Sequence, residues 1–140
     1  MQMQFEQQSV RCLRQAIRKT AQQEATQEIR LDEEMPDIAD VLGCWGQVLL
    51  RSKQWRGTDM QISGGVMVWA LYRPEDGSMP QWVNGWIPFQ ADFDFNREEK
   101  DGVIRVLPQI VSVDARSTSA RKLLVRAQIQ LQTEALVEQV

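Results

Sequence analysis

Four residues of this chain could do chemistry together. Asp92 and Asp94 stand two positions apart, and Trp82 and Trp86 lie upstream at even spacing. Side chains two apart in an extended strand point to one face, so all four would share a surface. Two carboxylates can cleave a glycosidic bond, one as acid and one as base or nucleophile, and indole rings can line a sugar site. That gives a carbohydrate-binding or carbohydrate-cleaving reading. The plainer reading is a solvent-facing strand with surface acids and partly covered aromatics.

Other chemistry finds little support. The sequence contains no histidine, which removes the commonest general base and the commonest transition-metal ligand. A Ser-His-Asp or Cys-His triad cannot be built. Asp92-Phe93-Asp94-Phe95-Asn96 opens like a calcium loop, but Arg97 stands where the sharp turn wants glycine, and Val103 where a bidentate glutamate belongs. Gly64-Gly65 lacks the spacing of a phosphate loop and no helix pattern follows it. Cys12 and Cys44 are too few and too far apart for a metal motif, and read as free, buried thiols. No catalytic residue, metal or cofactor is expected.

Charge and length narrow the class further. Sixteen basic against nineteen acidic residues leave a net charge of −3, which gives no general support for nucleic-acid binding. Arg11, Arg14, Arg18 and Lys19 read as the solvated face of an element. No apolar run approaches the roughly 20 residues of a membrane-spanning helix, so no membrane insertion is expected. Met1 to Glu6 lacks the layout of a secretory signal, which makes an intracellular location the expectation. Residues 1–140 are the length of one domain, able to bury a core without disulfides or metal.

The elements that must position the four residues centre on a hairpin from Met60 to Phe95. Met60, Ile62, Val66, Val68, Ala70 and Tyr72 alternate on the first strand. Its other face turns apolar at Met67, Trp69 and Leu71, as in a strand central in its sheet. Gly64-Gly65 suggests a bulge or a close backbone approach. On the return strand Val83, Ile87, Phe89, Ala91, Phe93 and Phe95 share one face, and Trp82, Trp86, Asp92 and Asp94 the other. Pro88 suits an edge strand, and Pro74-Glu75-Asp76-Gly77 the connection.

Around the hairpin, Phe5 to Thr20 is ambiguous between helix and strand, Gln22 to Gln27 reads as a connection, and Thr26 to Leu31 as a short strand. Pro36 and Asp37 suit a helix's first turn, Ile38, Val41 and Leu42 make an i, i+3, i+4 stripe, and Gly43 suits its end. That predicts a short helix over Pro36–Leu42. Gly46 to Trp55 and Val103 to Val113 read as strands, with a charged loop from Asn96 to Gly102 and a polar stretch from Asp114 to Arg121. Leu123, Val125, Ala127, Ile129 and Leu131 alternate strictly with polar residues, which specifies a last strand. The fold expected is mainly β: a single-domain β-sandwich or partly closed barrel, with one short helix near residues 36–42.

Several of these segments resemble the SPOCS domain family, found in spore-coat assembly proteins of endospore-forming bacteria. Leu31-Asp32-Glu33-Glu34-Met35-Pro36-Asp37-Ile38 is similar to a family motif of the type Leu-Pro-x-x-x-Pro-Asp-Ile, with Asp32 in place of the first proline. Val66 to Tyr72, Trp86-Ile87-Pro88-Phe89 and Asp114-Ala115-Arg116 resemble other family segments, and the likeness runs from about Cys12 to Leu131. The resemblance implies extended structure for Val10 to Lys19 and a structural, non-catalytic role for Pro36, Asp37 and Ile38. It also implies an adaptor that tethers coat components at the forespore surface, on the mother-cell side, in part by binding the coat's ATPase scaffold. Members often carry several such domains, sometimes with a LysM module, so this chain would be a stand-alone domain or the N-terminal part of a longer protein. With the residues alone, Trp82 and Trp86 are the expected anchors for a protein partner, provided no second layer covers their face.

Overall fold

Alternation at period two marks the hairpin and the last strand, and the described residues are strand almost throughout. The structure is a computed structural model that describes residues 12–95 and 102–139. Within them lie β1 (Cys12–Arg30), β2 (Ile38–Arg56), β3 (Asp59–Pro74), β4 (Gln81–Asp94), β5 (Gly102–Ser119) and β6 (Lys122–Gln139). They form two three-stranded antiparallel sheets, β1-β6-β5 and β2-β3-β4, packed face to face. This is the expected β-sandwich.

The central strands β3 and β6 fill the core. Met60, Ile62, Val66, Val68 and Tyr72 face Leu123, Val125, Ala127, Ile129 and Leu131, all with no surface exposed. From β4, Ile87, Phe89, Ala91 and Phe93 complete the inner face. Both seams are closed by side chains. Along one, Lys53 of β2 donates from Nζ to the Ile104 carbonyl of β5 at 2.6 Å. Along the other, Gln23 of β1 donates from Nε2 to the Gln90 carbonyl of β4 at 2.9 Å, and Ile29 packs so close to Gly85 that a Cβ there would sit 2.5 Å from its Cδ1. The result lies between a sandwich and a closed barrel.

The expected helix over Pro36–Leu42 does not form; Ile38–Leu42 opens β2. The spacing misleads because β2 carries bulges between Ile38 and Asp40 and between Val41 and Gly43. Each bulge adds one residue against the partner strand. The inward positions therefore step from Ile38 to Val41 to Cys44, opposite Pro74, Tyr72 and Ala70, and a bulged strand mimics helical spacing. Gly43 ends no helix and lies within the strand.

Two polar stretches also extend as strand. Residues 22–27 belong to β1, and 114–119 to β5, because each pairs with β6. The segment 12–20 is strand as well, whereas residues 5–11 and the charged loop 96–101 lie outside the described residues. No helix among the described residues is long and apolar enough to cross a membrane.

Candidate functional site

The outer face of β2-β3-β4 is where the expected anchors lie. On β2, Gly43, Trp45, Gln47 and Leu49 point outward, opposite Leu71, Trp69, Met67 and Gly65 of β3. On β4, Trp82, Asn84, Trp86 and Pro88 stand opposite the same four β3 residues. Trp45 leans over Gly43, where a Cβ would lie 2.7 Å from its ring. The missing side chain lets the indole reach across β3. It meets Trp82 with ring centroids 5.3 Å apart and planes tilted by 49°. Trp45 and Trp82 remain 51% and 56% exposed, so their contact does not hide them. With half-buried Trp69 between their strands, the three indoles line a shallow hollow of about 260 Å³.

Trp86 shares this face and sits differently. It lies over Gly65, where a Cβ would fall 2.2 Å from the ring, and Arg51 stacks its guanidinium 4.7 Å from the ring centroid. It is half-buried. Four residues of strand, about 13 Å, separate it from Trp82. The structure thus places Trp82 in an exposed cluster and Trp86 in a stacked one. Trp45 and Trp69, which the sequence reading did not single out, complete the first. Trp69 was visible as an outward apolar residue of β3, but Trp45 could be placed only once the β2 bulges were known.

Asp92 and Asp94 are exposed on the same face at the far end of β4, opposite Gln61 and Asp59. Ten residues separate Asp92 from Trp82, about 33 Å of strand. The acids and the Trp82 cluster therefore share a face without sharing a site.

Pro36, Asp37 and Ile38 form the crossing from one sheet to the other. Leu31 N–H donates to the Arg121 carbonyl and Ile38 N–H to that of Ala120, both at 2.9 Å, so the β5–β6 turn holds both ends of the crossing. Arg121 donates to the carbonyls of Asp32 and Met35 and pairs with Asp37 at 3.1 Å. Tyr72 Oη donates to the Pro36 carbonyl at 2.8 Å, and Ile38 is buried. Asp37 acts here as an ion-pair partner and main-chain acceptor, not as the start of a helix.

Cys44 is free and half-buried; burial, helped by Asp114, raises its thiol above the ordinary value. That favours the unreactive thiol form at neutral pH. Of Cys12, only the backbone belongs to the described residues. Among the described residues no three His, Cys, Asp or Glu side chains are grouped to hold a metal ion.

No family model matches the chain, and neither does any curated protein or solved structure.

Proposed function

We propose that this chain is a non-catalytic adaptor domain that docks a protein partner through the outer face of β2-β3-β4, in the assembly of a spore coat or envelope. The observation that carries the docking role is the Trp45-Trp69-Trp82 cluster. Two indoles more than half exposed leave apolar area in water, where hydrophobic burial by a partner would be favourable at about 25 cal/mol per Å². Tryptophan is enriched among the residues that dominate interface energetics, because it buries much area at little entropic cost.

Ring geometry favours a protein over a glycan chain. A pyranose stacks flat on an aromatic face, so a glycan needs ring faces side by side and open. Here two rings at 5.3 Å and 49° partly cover each other, and the hollow contains no carboxylate. The spore-coat setting, the forespore surface and an ATPase scaffold as partner rest on the resemblance carried by Pro36-Asp37-Ile38, Trp86-Ile87-Pro88-Phe89 and Asp114-Ala115-Arg116. The test is a comparative pull-down from sporulating cells with the wild-type chain, Trp82→Ala and Gln109→Ala, the last on the opposite outer face. A protein retained by wild type and Gln109→Ala but lost by Trp82→Ala supports docking. Turnover of a peptidoglycan substrate, abolished by Asp92→Asn, would overturn the non-enzymatic role.

A further inference from the structure

Resting on that docking role, we infer that the Trp45-Trp69-Trp82 hollow takes a proline-rich, extended segment of the partner. Its lining offers almost no hydrogen-bonding partner. The three indoles are the whole lining, they present almost only ring carbon to it, and an indole has no acceptor. An ordinary extended peptide laid there would bring backbone N–H groups over carbon surface, where they lose water and gain nothing. Proline has no N–H to lose. A polyproline II segment keeps its carbonyls outward in water while its rings rest on carbon surface, and its conformation costs little entropy to fix.

Size and charge point the same way. The apolar zone spans three strands and about six residues of strand length, roughly 10 Å by 20 Å. That is the footprint of one extended segment, far below the roughly 800 Å² per partner that two globular chains bury together. A helix about 10 Å across would rest on the rim of so shallow a hollow, whereas a pyrrolidine ring is small enough to lie against the exposed part of an indole face. No charged side chain lines the hollow, which leaves an acidic or basic motif without a counter-charge and matches a neutral segment.

The experiment is a titration of the full chain with decaproline and with a Gly-Ser decapeptide, followed by calorimetry and by tryptophan fluorescence. Saturable binding of decaproline alone is expected, weakened at least about tenfold in Trp82→Ala and in Trp45→Ala and retained in Gln109→Ala. Trp45→Ala reads the same hollow from a different strand, should Trp82→Ala fail to fold. Equal binding of both peptides, no saturation, or decaproline binding untouched by both variants would overturn the inference. Binding of chitohexaose in place of decaproline would overturn it in favour of a glycan. If decaproline fails while partner retention in the pull-down still depends on Trp82, the proline inference falls and docking stands. If that dependence is lost too, both fall.

Discussion

The two outer faces of the sandwich come from the same alternation and differ in their aromatic content. On β6 the outward residues include Arg126, Gln128, Gln130, Gln132 and Glu134. Gln22, Gln130 and Gln109 line up as one row across β1-β6-β5. Local polar partners support that face: Ser112 donates to Gln128 at 3.0 Å, and Arg126 pairs with Asp114 at 3.3 Å. Across the molecule, the corresponding positions hold Trp45, Met67, Trp69, Trp82 and Trp86. The glutamine face also exposes aliphatic residues, Val103 and Leu107 of β5, but no tryptophan, so a sheet here does not need an aromatic outer side. Cross-strand aromatic pairs do add roughly 0.2–1 kcal/mol each to a sheet, so fold support is the competing explanation for the indoles. It predicts that the aromatic face matters for stability. Docking predicts that it matters for binding.

The inner faces should be equivalent where the outer ones are not. Phe89→Ala from one sheet is expected to cost about 3–5 kcal/mol and Leu131→Ala from the other about 2–5 kcal/mol, read by denaturant unfolding. A loss below about 1 kcal/mol at either would break the register that makes the faces distinct.

The crossing between the sheets comes next in size. Arg121→Ala removes donors to two carbonyls and the pair with Asp37, and should cost about 1–3 kcal/mol, with partner binding kept in the folded fraction. Binding lost at unchanged stability would move the contact surface away from the tryptophans.

Tyr72→Phe should cost about 0.5–1.5 kcal/mol, because the Pro36 carbonyl loses its donor. The same residue sets an alkaline limit. Burial raises its phenol above the usual value, opposed in part by Arg121. A group raised in the folded state contributes stability in full below its unfolded pKa, near 10, and loses it as pH rises through the folded pKa. Wild type should therefore lose stability above about pH 10 more steeply than Tyr72→Phe. Parallel curves from pH 9 to 11 would contradict this.

Most of the fold was legible because period two is a direct imprint of strand pleating. The hairpin Met60–Phe95 and the last strand needed nothing else. Where reading failed, at Pro36–Leu42, bulges had shifted the period, and bulges depend on the partner strand rather than on local residues. The polar strand at 22–27 was missed for a related reason: an edge strand buries little, and its small inward residues Ala21 and Ala25 give weak contrast. Half of the candidate site was legible. Trp82 and its face followed from alternation, but its meeting with Trp45 depends on Gly43 and on two strands that β3 separates.

The most direct measurement pairs thermal unfolding with partner binding for Trp82→Ala and Gln109→Ala, one variant on each outer face. If the aromatic face is a docking surface, Trp82→Ala loses no more than about 1 kcal/mol of stability, the worth of its contact with Trp45, yet abolishes binding. Gln109→Ala changes neither. A stability loss of several kcal/mol in Trp82→Ala with binding intact in the folded protein would make the tryptophans part of the fold's support and contradict docking.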